Sequence, residues 1–99
     1  MRPVYGMKEA DRPILHFLHE TGLALRATDI IYNLDTRRNV EIPESTFYRR
    51  VKRLQHAGLV EKEDDSYYAI TELGERLLDE DLSDDELSEV SQRLQEDLD

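Results

Sequence analysis

Ser45, Thr46, Arg49, Lys52 and Arg53 recur at the spacing of one helix face, with Tyr48 near its boundary and Arg50 beside it. Small hydroxyls followed by cations on one side of a helix are the groups that read a nucleic-acid duplex. The Arg49 guanidinium offers two donors matched to guanine O6 and N7, and Ser45 and Thr46 reach base edges beside it. Lys52, Arg53 and Arg50 would hold backbone phosphates and fix the register. Tyr48 would contact a phosphate or cover the core. Arg37 and Arg38, upstream, would clamp phosphates flanking the groove or belong to an ordinary polar loop. The alternative for the whole set is a solvated basic face, the usual fate of charge on an exposed helix.

Other chemistry finds little support. His16 and His19 stand one turn apart with Glu20 beside them, but nothing supplies a further ligand, so they read as surface histidines and no metal is expected. The absence of cysteine excludes disulfides, thiolate zinc sites and cysteine nucleophiles. No Ser-His-Asp ordering, phosphate-cradling glycine loop or secluded carboxylate pair is present, so neither an enzyme nor a cofactor is expected.

Charge first points the other way. Twenty-three acids against 13 bases give a formal net charge of -10, which argues against a polyanionic partner. Divided along the chain, the charge separates: residues 1–25 are neutral, residues 26–62 carry +3 and residues 63–99 carry -13. Such asymmetry points to a localised nucleic-acid surface. The bases are ten Arg and three Lys, and with the acid excess this looks like adaptation to molar salt, where a Debye length of about 3 Å hides distant acids from a DNA backbone. No apolar run approaches the length of about 20 residues that a bilayer span needs, so no segment spans a bilayer and a cytoplasmic location is expected.

The elements that must position these side chains follow from periodicity. At 99 residues one domain is expected. Ile14, Leu15 and Leu18 predict a helix over residues 11–21, stopped by Gly22. A short extended stretch at residues 23–25 precedes a helix over 27–34 with Ile30, Ile31 and Leu34. Residues 35–43 read as a nine-residue connection, and Pro43 suits the first turn of the next helix. That helix, 44–57, buries Phe47, Val51 and Leu54 and ends at Gly58. Residues 59–62 and 67–70 form a hairpin around Asp64-Asp65-Ser66. Thr71 caps a helix over 72–80, and Ser83 with Glu86 has capping-box spacing for a last helix reaching Leu98, with a narrow stripe of Leu87, Val90, Leu94 and Leu98.

Helix, strand, helix, helix, hairpin, helix is the order of a winged helix-turn-helix, an α+β fold that is mostly α, here with an additional C-terminal helix. The stretches Asp11-Arg12-Pro13-Ile14-Leu15, Ile31-Tyr32-Asn33-Leu34-Asp35, Ser45 to Leu54, Ala57-Gly58-Leu59-Val60-Glu61-Lys62 and Tyr67 to Gly74 resemble small winged-helix regulators of halophilic archaea, in particular the phi-H phage repressor-like family. The resemblance covers residues 8–80. It implies a DNA-binding domain at 1–80 that inserts its third helix in the major groove of double-stranded DNA and represses transcription by covering a promoter. Residues 81–99 then form an acidic helix that packs on the first helix or, as a dimerisation element, pairs with its twin in a homodimer. Two departures stand out: the long connection, and the acids Glu63, Asp64 and Asp65 at the wing tip, which argue against minor-groove insertion. The rival reading is a protein-interaction module that uses the acidic wing and tail. An effector or protein partner would be unidentified.

Overall fold

The computed structural model describes residues 3–98. Five helices and a three-stranded antiparallel sheet follow the expected order: α1 (Asp11–Thr21), β1 (Leu25–Arg26), α2 (Ala27–Arg38), α3 (Glu44–His56), β2 (Val60–Glu63), β3 (Tyr67–Ile70), α4 (Glu72–Leu78) and α5 (Asp84–Gln95). β3 is central, between β1 and β2. The winged-helix architecture, α+β and mostly helical, is therefore the observed one.

Several ends differ from the periodicity reading. The apolar stripe of α2 stops at Leu34, yet the helix runs one more turn to Arg38, because nothing breaks it before Asn39. Asn39 ends it in the left-handed region (φ 55°), which a short polar side chain tolerates. The connection to α3 shrinks from nine residues to the span 39–43, closer to a tight helix-turn-helix. α4 stops at Leu78 rather than Glu80 and α5 at Gln95 rather than Leu98. At the wing tip Asp64 and Asp65 both take positive φ (48° and 58°), the conformation that lets so short a turn join β2 to β3.

One apolar cluster joins every layer. Ile14, Leu15 and Leu18 of α1, Ile30 and Leu34 of α2, Phe47, Val51 and Leu54 of α3, Leu59 and Tyr68 of the wing, and Leu77 all contribute. Leu82, Val90 and Leu94 belong to the same cluster. Of the two fates anticipated for the last helix, the structure displays packing within the chain, and against α3 rather than α1. Val90 and Leu94 of that stripe are buried, while Leu87 and Leu98 are half-buried.

A buried ion pair crosses the core. Arg50 Nε donates to Asp11 Oδ1 at 2.9 Å and its Nη2 to Oδ2 at 2.6 Å, while Nη2 also reaches the Gly6 carbonyl at 3.0 Å. The Lys8 amide donates to Asp11 Oδ2 as well. Every buried side-chain polar atom among the described residues is satisfied.

At the start of α5 the capping box forms as anticipated, with Ser83 accepting from the Glu86 amide and Glu86 accepting from the Ser83 amide. Arg76 of α4 adds two hydrogen bonds to Glu86, each 2.8 Å. The Arg76 guanidinium first, then the Ser83 amide, holds the Glu86 carboxyl down from 4.5 to about 2. A lowered folded-state value means a contribution present above about pH 4.5 and lost as pH falls toward 2. The gap in urea midpoint between wild type and Glu86→Gln should be constant near neutrality and close progressively over that range; an equal gap at both extremes would contradict the pairing.

Candidate nucleic-acid interface

α3 turns Phe47, Arg50, Val51 and Leu54 inward and leaves Ser45, Tyr48, Arg49 and Lys52 exposed, with Thr46 half-buried. The exposed set is continuous along the helix, since residues three and four apart share a face. Neither Arg49 nor Lys52 has an ion-pair or hydrogen-bond partner among the described residues. Tyr48 packs edge-on against Phe47, their rings 5.7 Å apart, which fixes the ring while leaving it 46% exposed. This half of the face is what the spacing predicted: hydroxyls first, then two free cations.

The other predicted contacts are placed differently. Arg50 is 6% exposed and committed to Asp11, so the phosphate role expected for it is corrected to that of an internal strut. The signal that could have found it is the spacing 47, 50, 51, 54, which puts Arg50 on the same stripe as Phe47, Val51 and Leu54, as 11, 14, 15, 18 does for Asp11 with α1. Arg53 is half-buried and its Nη1 donates to the Leu94 carbonyl at 3.0 Å and to the Glu96 carbonyl, where the last turn of α5 presents free acceptors. The structure places it at the C-terminal end of α5, apart from the exposed set of Ser45, Tyr48, Arg49 and Lys52. His56 stands 3.1 Å from Glu96 Oε1 at the same junction.

Arg37 and Arg38 lie in the last turn of α2, not in a loop. Arg38 turns back to α1, where it bonds Glu20 at 2.7 Å and lies over the Phe17 ring, a surface tie between the two helices. The Arg38 hydrogen bond lowers the Glu20 carboxyl from its ordinary value. Arg37 is exposed, with Nε to Asn33 Oδ1 at 3.2 Å.

Sequence reasoning passed over a second cationic feature. A cleft of about 540 Å³ between the start of α2, α3 and the wing is lined by Arg26, Thr28, Tyr48, Lys62 and Ser66, with Asp65 among them. Arg26 stacks on the Tyr67 ring and bonds its hydroxyl at 2.9 Å, while Lys62 Nζ sits 5.7 Å from the Tyr68 ring centroid. Strand alternation was the available signal, because Lys62 is two residues from buried Val60.

His19, anticipated as a free surface histidine beside His16, pairs with Glu75 of α4 at 3.1 Å. Among the described residues no group of three acids or histidines could hold a metal ion, and no helix is long and apolar enough to cross a membrane.

A family model described as a winged helix-turn-helix phage repressor matches residues 1–90. The match extends beyond residues 8–80, to which the resemblance was confined, and reaches into α5. No curated protein and no solved structure matches the chain.

Proposed function

Because the chain belongs to the winged helix-turn-helix phage repressor family and so is a DNA-binding regulator, we propose that it represses transcription by inserting α3 into the major groove of an operator. The observation that carries this reading is the outward face of α3, where Ser45, Tyr48, Arg49 and Lys52 stand exposed and the two cations lack internal partners. Arg49 reads guanine through its paired donors, Ser45 and Thr46 reach neighbouring base edges, and Lys52 with Tyr48 holds the backbone. Occupation of a promoter by the domain then excludes the transcription machinery.

Two copies read a two-fold operator as a homodimer. The burial of Val90 and Leu94 inside the chain supports a seam on a surface other than the α5 stripe. The net charge of -10 and the Arg-rich base set support action at high salt, where close contacts replace counterion release as the main source of affinity.

Selection from a random duplex library at about 1 M salt, where the Debye length is about 3 Å, tests the reading. One enriched motif, arranged as an inverted repeat, is the expected result. Recovery of unrelated sequences, or of none, would sink it. Lys52→Ala should weaken binding to all duplexes alike and reduce the salt slope by about one, the mark of a lost phosphate contact.

A further inference from the structure

A cleft that the DNA reading leaves unused adjoins Arg49. It measures about 460 Å³ and lies between the segment before α1, the turn from α2 to α3, and the first two turns of α3. That size suits a small molecule. The Lys8 amide donates to Asp11 Oδ2 at 2.9 Å and the Asp11 amide to the Lys8 carbonyl at 3.0 Å, so one side is tied to the carboxylate that grips Arg50. In the turn, the Val40 amide bonds the Leu34 carbonyl at 2.9 Å and Ile42 is buried in the core. The cleft is therefore formed before any ligand enters, which lowers the cost of binding one.

Its lining is of two kinds. Ala10, Val40, Ile42 and Pro43 supply apolar surface. Lys8 and Arg49 supply two cations and Glu9 and Glu41 two carboxylates, all exposed and none with an ion-pair partner among the described residues. The half-buried Thr46 adds a hydroxyl that is also unbonded among them. Arg50, in the wall, is already neutralised by Asp11. A simple anion in this cleft would meet two carboxylates, and a simple cation would meet two bases. Unpaired charges of both signs match a molecule that carries both charges itself.

We propose that the cleft binds an α-amino acid with an apolar side chain. Its carboxylate meets Arg49, Lys8 and the Thr46 hydroxyl, its ammonium meets Glu41 and Glu9, and its side chain lies on Val40, Ile42 and Pro43. The consequence rests on the DNA-binding reading, because Arg49 is the residue that reads guanine there. An arginine closed on a carboxylate is lost to a base edge, so amino acid and operator exclude one another, each weakening the other's binding by the same factor. Occupancy of the operator then follows the supply of the amino acid.

The test is titration calorimetry on the full chain at about 1 M salt, where screening confines charge effects to about 3 Å. The probes are L-valine, L-leucine, L-isoleucine, L-methionine and L-phenylalanine, each tried alone. At least one should bind, whereas its amide, which lacks the carboxylate, and its deaminated acid, which lacks the ammonium, should not. At about ten times its own dissociation constant it should weaken binding to the selected duplex about tenfold in fluorescence anisotropy. Glu41→Gln should weaken amino-acid binding several-fold and keep duplex affinity and thermal midpoint, since Glu41 is exposed and outside α3. Binding of none of the probes, equal binding of the deaminated acid, an undiminished response in Glu41→Gln, or binding that leaves duplex affinity untouched overturns the proposal while the DNA reading stands. Failure of the wild-type chain to bind any duplex overturns the DNA reading, and the calorimetry still decides the amino-acid site.

Discussion

Asp11→Ala should cost about 3–5 kcal/mol of stability, because it leaves the Arg50 guanidinium charged and without its partner in a site 6% exposed. The reciprocal Arg50→Ala strands the carboxylate of Asp11, which is 0% exposed, and should cost a similar amount. For a chain of 99 residues the thermal midpoint would fall by more than about 10 °C. Replacing both together by apolar residues of like volume should recover most of the loss, since the pair repays its desolvation only when both members are present. Urea unfolding of the two single variants and the double variant completes the cycle. Losses under about 1 kcal/mol in both single variants would mean that the pair is solvated in solution.

Arg49→Ala should leave stability unchanged and remove about 1–3 kcal/mol of discrimination at one base pair. Its side chain is exposed and meets no partner among the described residues, so nothing within the fold depends on it. Arg49→Lys should not restore selectivity, because an ammonium cannot present two parallel donors to guanine O6 and N7. Binding to the cognate duplex and to each single substitution distinguishes this from a phosphate contact, whose loss weakens all duplexes equally. Equal weakening everywhere would move Arg49 from the bases to the backbone.

How far the sequence carried these conclusions depends on whether a feature is local. α1 was legible end to end, as Ile14, Leu15 and Leu18 give the period and Gly22 the stop. The capping box of α5 and the Asp64-Asp65 turn were legible for the same reason. The last turn of α2 was not, because periodicity marks where burial ends rather than where the helix ends. Partner choice was the least legible. The α5 stripe suits any apolar groove, and only the fold decides that it meets α3 and that Arg53 turns to its carbonyls. Arg50 was within reach, as an ionised residue at the second position of the 47, 50, 51, 54 spacing must be paired or neutralised.

The Asp11–Arg50 pair also sets the rotational phase of α3. Apolar contacts are tolerant of a helix turning a few degrees about its axis, whereas two parallel hydrogen bonds from one guanidinium to one carboxylate are directional. Arg49 and Arg50 are neighbours, separated by about 100° around the helix. The inward arginine therefore aims the outward one, and the direction in which Arg49 leaves α3 is set from inside the core rather than by anything on the surface.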